Sequence, residues 1–206
     1  PPRLTAPDLL VLQLASTAIV CVRRNQRSHA DLRHDARISA PTVRALKVRN
    51  RQQKAVAEFG RIALLGASES ELMEVAVQQT AYALRAEFVK MVEILPGSTT
   101  AKVRAGVGWP DGFIGSEIPM TDIPQARYVV ETSPSVLVRN IGTDRRLKPS
   151  QFLLKLGIVS GISAVIRGKT GPFGELGVHS TRLRRFSRDD AVFIRSIANC
   201  LAEAIM

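Results

Sequence analysis

Residues 88–109, FVKMVEILPGSTTAKVRAGVGW, decide the fold. Two apolar runs, 88–95 and 100–109, flank Pro96-Gly97-Ser98-Thr99, four residues of turn composition. Strand side chains alternate between two faces, and paired runs across a short turn predict an antiparallel hairpin. Upstream, the period is helical. Ser68-Glu69-Ser70-Glu71 reads as a capping box, and Leu72, Val75, Ala76, Gln79 and Ala83 continue at helical spacing to about Arg85. Before it, a helix is predicted from Pro41 to Leu65, with Val43, Leu46, Val56, Phe59, Ala63 and Leu64 on its apolar positions and Gly66 as its stop.

Downstream, Pro110-Asp111-Gly112 and Gly115 open a loop that closes at Pro119, and Pro124 starts a short helical stretch through Val130. Residues 135–141 form a third strand, and 151–156 a short helix ended by Gly157. Two more strands, 162–167 and 174–181, flank Lys169-Thr170-Gly171-Pro172. The chain closes with 185–206, RFSRDDAVFIRSIANCLAEAIM, an amphipathic helix with Ser187 and Asp190 as its capping pair. The expected architecture is α+β: an antiparallel sheet over about 87–181, helices near 41–65 and 187–206 side by side on one face, and irregular elements on the other. Both helices carry an apolar stripe, and the sheet needs cover on that face.

The closing helix has a second copy of its design at 3–23, RLTAPDLLVLQLASTAIVCVR, where Thr5 and Asp8 take the capping roles. A helix of this kind needs a core, and nothing upstream supplies one, so the chain reads as a piece of a longer protein of repeated modules. Residues 1–33 are then the last helix of a preceding domain plus a linker, 34–66 a basic linker helix and the first helix of the next domain, and 67–206 that domain.

Net charge is +11, and ten Lys/Arg against Asp31 and Asp35 place +8 of it between Arg23 and Lys54. A basic stripe can meet nucleic acid. This one has no Trp, Tyr or Phe for stacking and no zinc-ligand pattern, so it reads as a solvated linker helix. The apolar run 9–22 is broken by Gln13, Ser16 and Thr17 and falls short of the roughly 20 residues a membrane span requires. Cys21 and Cys200 sit in the two copies of the terminal helix and read as buried thiols, which fits a reducing cytoplasm.

Residues from about 41 onward resemble a GAF domain, the small-molecule sensory module, of the kind found beside PAS domains in bacterial sensor histidine kinases of two-component systems and in cyclases. The stretches that carry the resemblance are 51–60 (RQQKAVAEFG), 104–109 (RAGVGW), 157–166 (GIVSGISAVI), 172–180 (PFGELGVHS) and the closing Arg185-Phe186-Ser187 helix. The resemblance implies a five- or six-stranded antiparallel sheet, the first and last helices packed together on one face, and a ligand pocket under loops on the other. It implies no particular ligand. Cyclic-nucleotide-binding members carry an Asn-Lys pair and an acidic pair after a spaced Phe, whereas here Asn140 precedes Ile141 and Phe152 precedes Leu153-Leu154-Lys155-Leu156. Thr121-Asp122-Ile123-Pro124 is similar to the Asp-Ile-Pro motif of phytochrome GAF domains, but the short helix at 149–156 lacks the Cys and His of pigment-bound members.

Cysteines and histidines are too few and scattered for a zinc, haem or covalent bilin site, and no catalytic constellation stands out. His179 is the only imidazole of the domain and reads as a hydrogen-bonded or exposed strand residue. The candidate ligand pocket is drawn from Trp109, Phe113, Asp122, Arg127, Tyr128 and Phe152: the Trp109 and Phe113 rings to stack on a flat ligand, Asp122 and Arg127 to fix a polar group, and Phe152 to close the cavity. The alternative is that these residues fill their own core. The expected function is a cytoplasmic, non-catalytic regulatory module passing a change to an effector domain beyond residue 206, with a ligand-free dimerisation strut as the other reading. A homodimer is expected through the long helices, on a seam of Val43, Leu46, Asn50, Gln53, Ala57, Gly60 and Leu64.

Overall fold

The computed structural model describes residues 42–95, 97–148 and 150–205. The repeated helix at 3–23, the linker up to residue 41 and the apolar run 9–22 lie outside the described residues. The chain divides into two units, Pro1–Lys47 and Val48–Met206. Of the first, the described part is helical, residues 42–47. The second holds the fold that follows.

Its elements are α1 (the helical residues up to 64), α2 (Glu69–Leu84), β1 (Phe88–Ile94), β2 (Thr100–Val107), β3 (Glu117–Pro119), α3 (Pro124–Glu131), β4 (Ser135–Val138), α4 (Gln151–Lys155), β5 (Ser160–Arg167), β6 (Pro172–Ser180) and α5 (Arg188–Ile205). The six strands form one antiparallel sheet in the order β3-β2-β1-β6-β5-β4. The hairpin of β1 and β2 forms as its sequence predicts. Its register skips Arg104 between the Met91 and Val92 pairings, a β-bulge, so Ala105 faces one layer while Val103 and Ala101 face the other.

On the first face, Val89, Met91, Ile162, Ala164, Ile166, Leu176 and Val178 meet the apolar stripes of the helices. Phe59 of α1, Leu72 and Met73 of α2, and Ile194, Ile197 and Leu201 of α5 are buried in this core. Helices α1 and α5 share the face as expected, and α2 joins them. Gln52 on α1 donates from Nε2 to Asp190 Oδ1 at 2.8 Å, while Asp190 Oδ2 accepts from the Ser187 backbone and hydroxyl. The helix-start box is thereby tied to its neighbour. The Ser68–Glu71 box forms reciprocally at the start of α2.

Two departures from expectation concern the sheet's edge strands. The loop closing at Pro119 contains β3, a three-residue strand whose single apolar side chain, Ile118, gives no alternation to detect. The third strand ends at Val138 rather than 141; Ile141 is buried in the turn that follows, its N–H donating to Val159 O at 2.7 Å.

Candidate functional site

The second face of the sheet lies under α3, α4 and the long loops. Pro124 at the start of α3 needs no helical hydrogen bond there, and the helix buries Pro124, Gln125, Ala126 and Val129 toward the sheet. Beside it, the Trp109 and Phe113 rings stack at 4.5 Å between centroids, and Phe152 stacks on Phe113 at 5.2 Å. The Phe88 and His179 rings approach Trp109 edge-on at 5.3 and 5.6 Å. Trp109 Nε1 donates to Val89 O at 2.7 Å, which fixes the indole on the sheet.

The centre of this face is polar. Across β1, β6 and β5 the register places three rows: Phe88, His179 and Gly161; Lys90, Gly177 and Ser163; Val92, Glu175 and Val165. Lys90 and Glu175 form an ion pair whose side chains are 1% and 0% exposed. Gly177 makes the pair sterically possible, because a Cβ there would strike the Glu175 carboxylate. Gly161 does the same for Gln125, whose Nε2 would stand 2.7 Å from a Cβ at that position. Both amide atoms of Gln125, Ser163 Oγ, Glu175 Oε1 and both His179 ring nitrogens are buried with no hydrogen-bond partner among the described residues. A buried polar group left unpaired costs about 1–3 kcal/mol, so a cluster of them is a costly feature to keep. Together they leave donors and acceptors unspent between α3 and the sheet.

His179 therefore departs from its sequence reading: it is buried and has no hydrogen-bond partner among the described residues. Burial, and secondarily the charge of Lys90, hold its imidazole well below the ordinary value of 6.5. The folded state keeps it neutral while the unfolded chain protonates near pH 6.5, so stability is retained above that pH and falls below it. Denaturant titrations should show a loss of about 1 kcal/mol between pH 6.5 and 5.5 that is missing in His179→Asn. Parallel pH curves for the two proteins would mean that the imidazole protonates in place.

The six residues expected at the pocket do not form one site. Trp109, Phe113 and Phe152 come together, stacked on one another over the sheet. Arg127 and Tyr128 lie outside them on α3, at a cleft of about 260 Å³ that Arg146 and Lys148 also line. Arg127 is paired with Glu131 at 2.8 Å, and the Arg146 guanidinium stands 5.7 Å from the Tyr128 ring centre. Asp122 is exposed in the 3-10 turn before α3. Lys90, Gln125, Ser163 and Glu175 were not anticipated. Lys90 is flanked by Val89 and Met91 and Glu175 by Gly174 and Leu176, so each is a charge among uncharged neighbours in a central strand.

Among the described residues there is no group of three His, Cys, Asp or Glu that could hold a metal ion, and no helix long and apolar enough to cross a membrane. Cys200, the one cysteine among them, lies on α5 against the helix-side core, across the sheet from the aromatic stack. Among the described residues no thiol stands at the stack.

No family model matches the chain, and no curated protein does. Solved structures do. The GAF domain of a phosphoenolpyruvate-protein phosphotransferase from Acinetobacter superposes with a TM-score of 0.65 at 15% identity, covering 76% of this chain and 93% of that one. The phycocyanobilin-bound GAF domain of a cyanobacterial phytochrome gives 0.62 at 20%, covering 75% and 93%. The free methionine-R-sulfoxide reductase of Neisseria meningitidis, solved with its substrate, gives 0.63 at 13%, covering 75% and 87%. The fold is that of GAF domains.

Proposed function

We propose that this GAF fold serves as a non-catalytic sensory and regulatory module of a cytoplasmic signalling protein. Its ligand is a small polar molecule held at the centre formed by Lys90, Gln125, Ser163, Glu175 and His179. One observation carries the reading: four buried polar side chains, Gln125, Ser163, Glu175 and His179, keep hydrogen-bonding atoms unspent beside Lys90 on the face that α3 covers. The neutral His179 and the internally compensated Lys90–Glu175 pair favour an uncharged ligand. Binding would reset α3, which carries Gln125 and rests on β5 and β6. Those strands bear α5 on their other face, so the change passes through the sheet to the helix layer and on to an effector domain.

Thermal denaturation against a library of uncharged polar metabolites tests this, with native mass spectrometry of the purified protein for a retained molecule. A ligand at a hundred times its Kd should raise stability by about 2.7 kcal/mol, roughly 5–10 °C in a domain of this size. Gln125→Leu should abolish the shift. A library without a hit and a protein without a retained molecule would refute the reading.

A second reading rests on a separate feature, an apolar groove of about 410 Å³ between α1 and α5 lined by Gln53, Val56, Ala57, Val192 and Phe193. Gln53 and Ala57 belong to the seam anticipated from sequence, and Leu64 and Val192 stand exposed on the same two helices. A second copy of the chain fits this groove, because each copy brings the same pair of stripes and pairing buries both.

A further inference from the structure

We propose a separate site for a phosphorylated organic molecule, in the cleft between the loop after β4 and the segment that leads into α5. The cleft has a volume of about 480 Å³, within the range of small-molecule sites. Its floor is apolar, made by Leu137, Val138 and Phe186. Its rim carries Arg139, Asn140, Thr143, Arg188 and the mutually paired Asp144 and Arg146.

The charge around it is one-sided. Segments 139–148 and 182–188 hold four Lys/Arg each and a single acid, Asp144. That acid is already used: Asp144 accepts from Arg146 Nε at 2.9 Å and from Nη2 at 2.6 Å. The two acids at the start of α5 look elsewhere, Asp189 lining the α1–α5 groove and Asp190 bound to Gln52 and Ser187. Arg139 and Arg188 consequently have no carboxylate partner among the described residues.

The remaining rim groups are donors as well. Asn140 Oδ1 is taken by Gly142 N at 2.9 Å, so its amide nitrogen is the group left to face a ligand. The Thr143 hydroxyl can donate beside it. Two guanidiniums, an amide and a hydroxyl around one opening match the several acceptor oxygens of a phosphate, which takes charge-assisted bonds from forked arginine donors. The Arg184 guanidinium lies over the Phe186 ring, 4.7 Å from its centre. With Leu137 that ring gives an apolar surface for the organic part. Concavity and the apolar floor favour a small ligand over a nucleic-acid backbone, which would meet charge on an open face.

Calorimetric titration at 150 mM salt with phenyl phosphate, inorganic phosphate, phenol and a duplex DNA tests the proposal. Phenyl phosphate should bind saturably, about tenfold or more tightly than inorganic phosphate, and phenol should give no signal. Arg139→Gln and Arg188→Gln should each weaken phenyl phosphate about tenfold. Both side chains are exposed, so the variants should melt as the parent does. Absence of saturable binding, equal affinity for the two phosphates, unchanged affinity in the double variant, or salt-sensitive binding of DNA without phenyl phosphate would each overturn it. The Gln125→Leu variant should bind phenyl phosphate normally.

Discussion

Replacing Lys90 by Met is expected to lower the unfolding free energy by about 3–5 kcal/mol, because it leaves the Glu175 carboxylate buried without its counter-charge. Folded domains are stable by roughly 5–15 kcal/mol in total, so the variant should stand close to unfolding at ambient temperature. In a domain of this size the loss corresponds to a fall of about 10–15 °C in melting temperature. The isolated variant does not separate the pair from simple crowding at the site. The double variant Lys90→Met with Glu175→Gln does: it removes both charges while keeping both shapes, and should recover most of the loss. Guanidinium unfolding of the three proteins decides the matter. A Lys90→Met variant within about 1 kcal/mol of the parent would show that the pair is not sealed from water.

A dimer in the micromolar range is the second expected result, with Val192→Glu dissociating it. Val192 is 52% exposed in the single chain, so a carboxylate there leaves the monomer undisturbed. In the paired form the same charge would be trapped against apolar Val56 and Phe193 of the groove, at a cost of about 3–4 kcal/mol, or 10²–10³ in Kd. The linker's excess of eight positive charges repels its copy, so association should be stronger at moderate than at very low salt. Light scattering over a concentration and salt series reads both effects. A parent protein that stays monomeric at high micromolar concentration, or a Val192→Glu protein that stays dimeric, would sink this reading.

Much of the scaffold is written in local pattern. The capping acids Glu71 and Asp190 mark helix starts three residues after a serine, and the structure forms both boxes. The apolar runs 88–95 and 100–109 show the hairpin in their own residues. The polar centre is not local. Lys90 and Glu175 lie 85 residues apart, and neither neighbourhood announces the other. Alternation assigns Lys90 to the face opposite Val89 and Met91, which for a one-sided sheet means water. Only when α3 covers that face does the lysine become interior, and the sequence of α3 gives its amphipathic stripe without saying which strands it will lie upon. The aromatic residues at 109, 113 and 152 were legible as a group for a simpler reason: large flat side chains near glycine-rich loops have few places to go except onto one another.

An open sheet ends in two strands whose outer hydrogen-bonding groups have no neighbour, and these invite a strand from another molecule. Here both borders are short and obstructed. β3 is three residues long and finishes at Pro119, which has no N–H to offer. β4 is four residues long, follows Pro134, and has its Leu137 carbonyl taken by Arg146 Nη2 at 2.7 Å. An incoming strand finds no continuous ladder on either side. Crowded copies of this domain should therefore meet through helices and remain soluble, where an unguarded six-stranded sheet would polymerise edge to edge into fibrils.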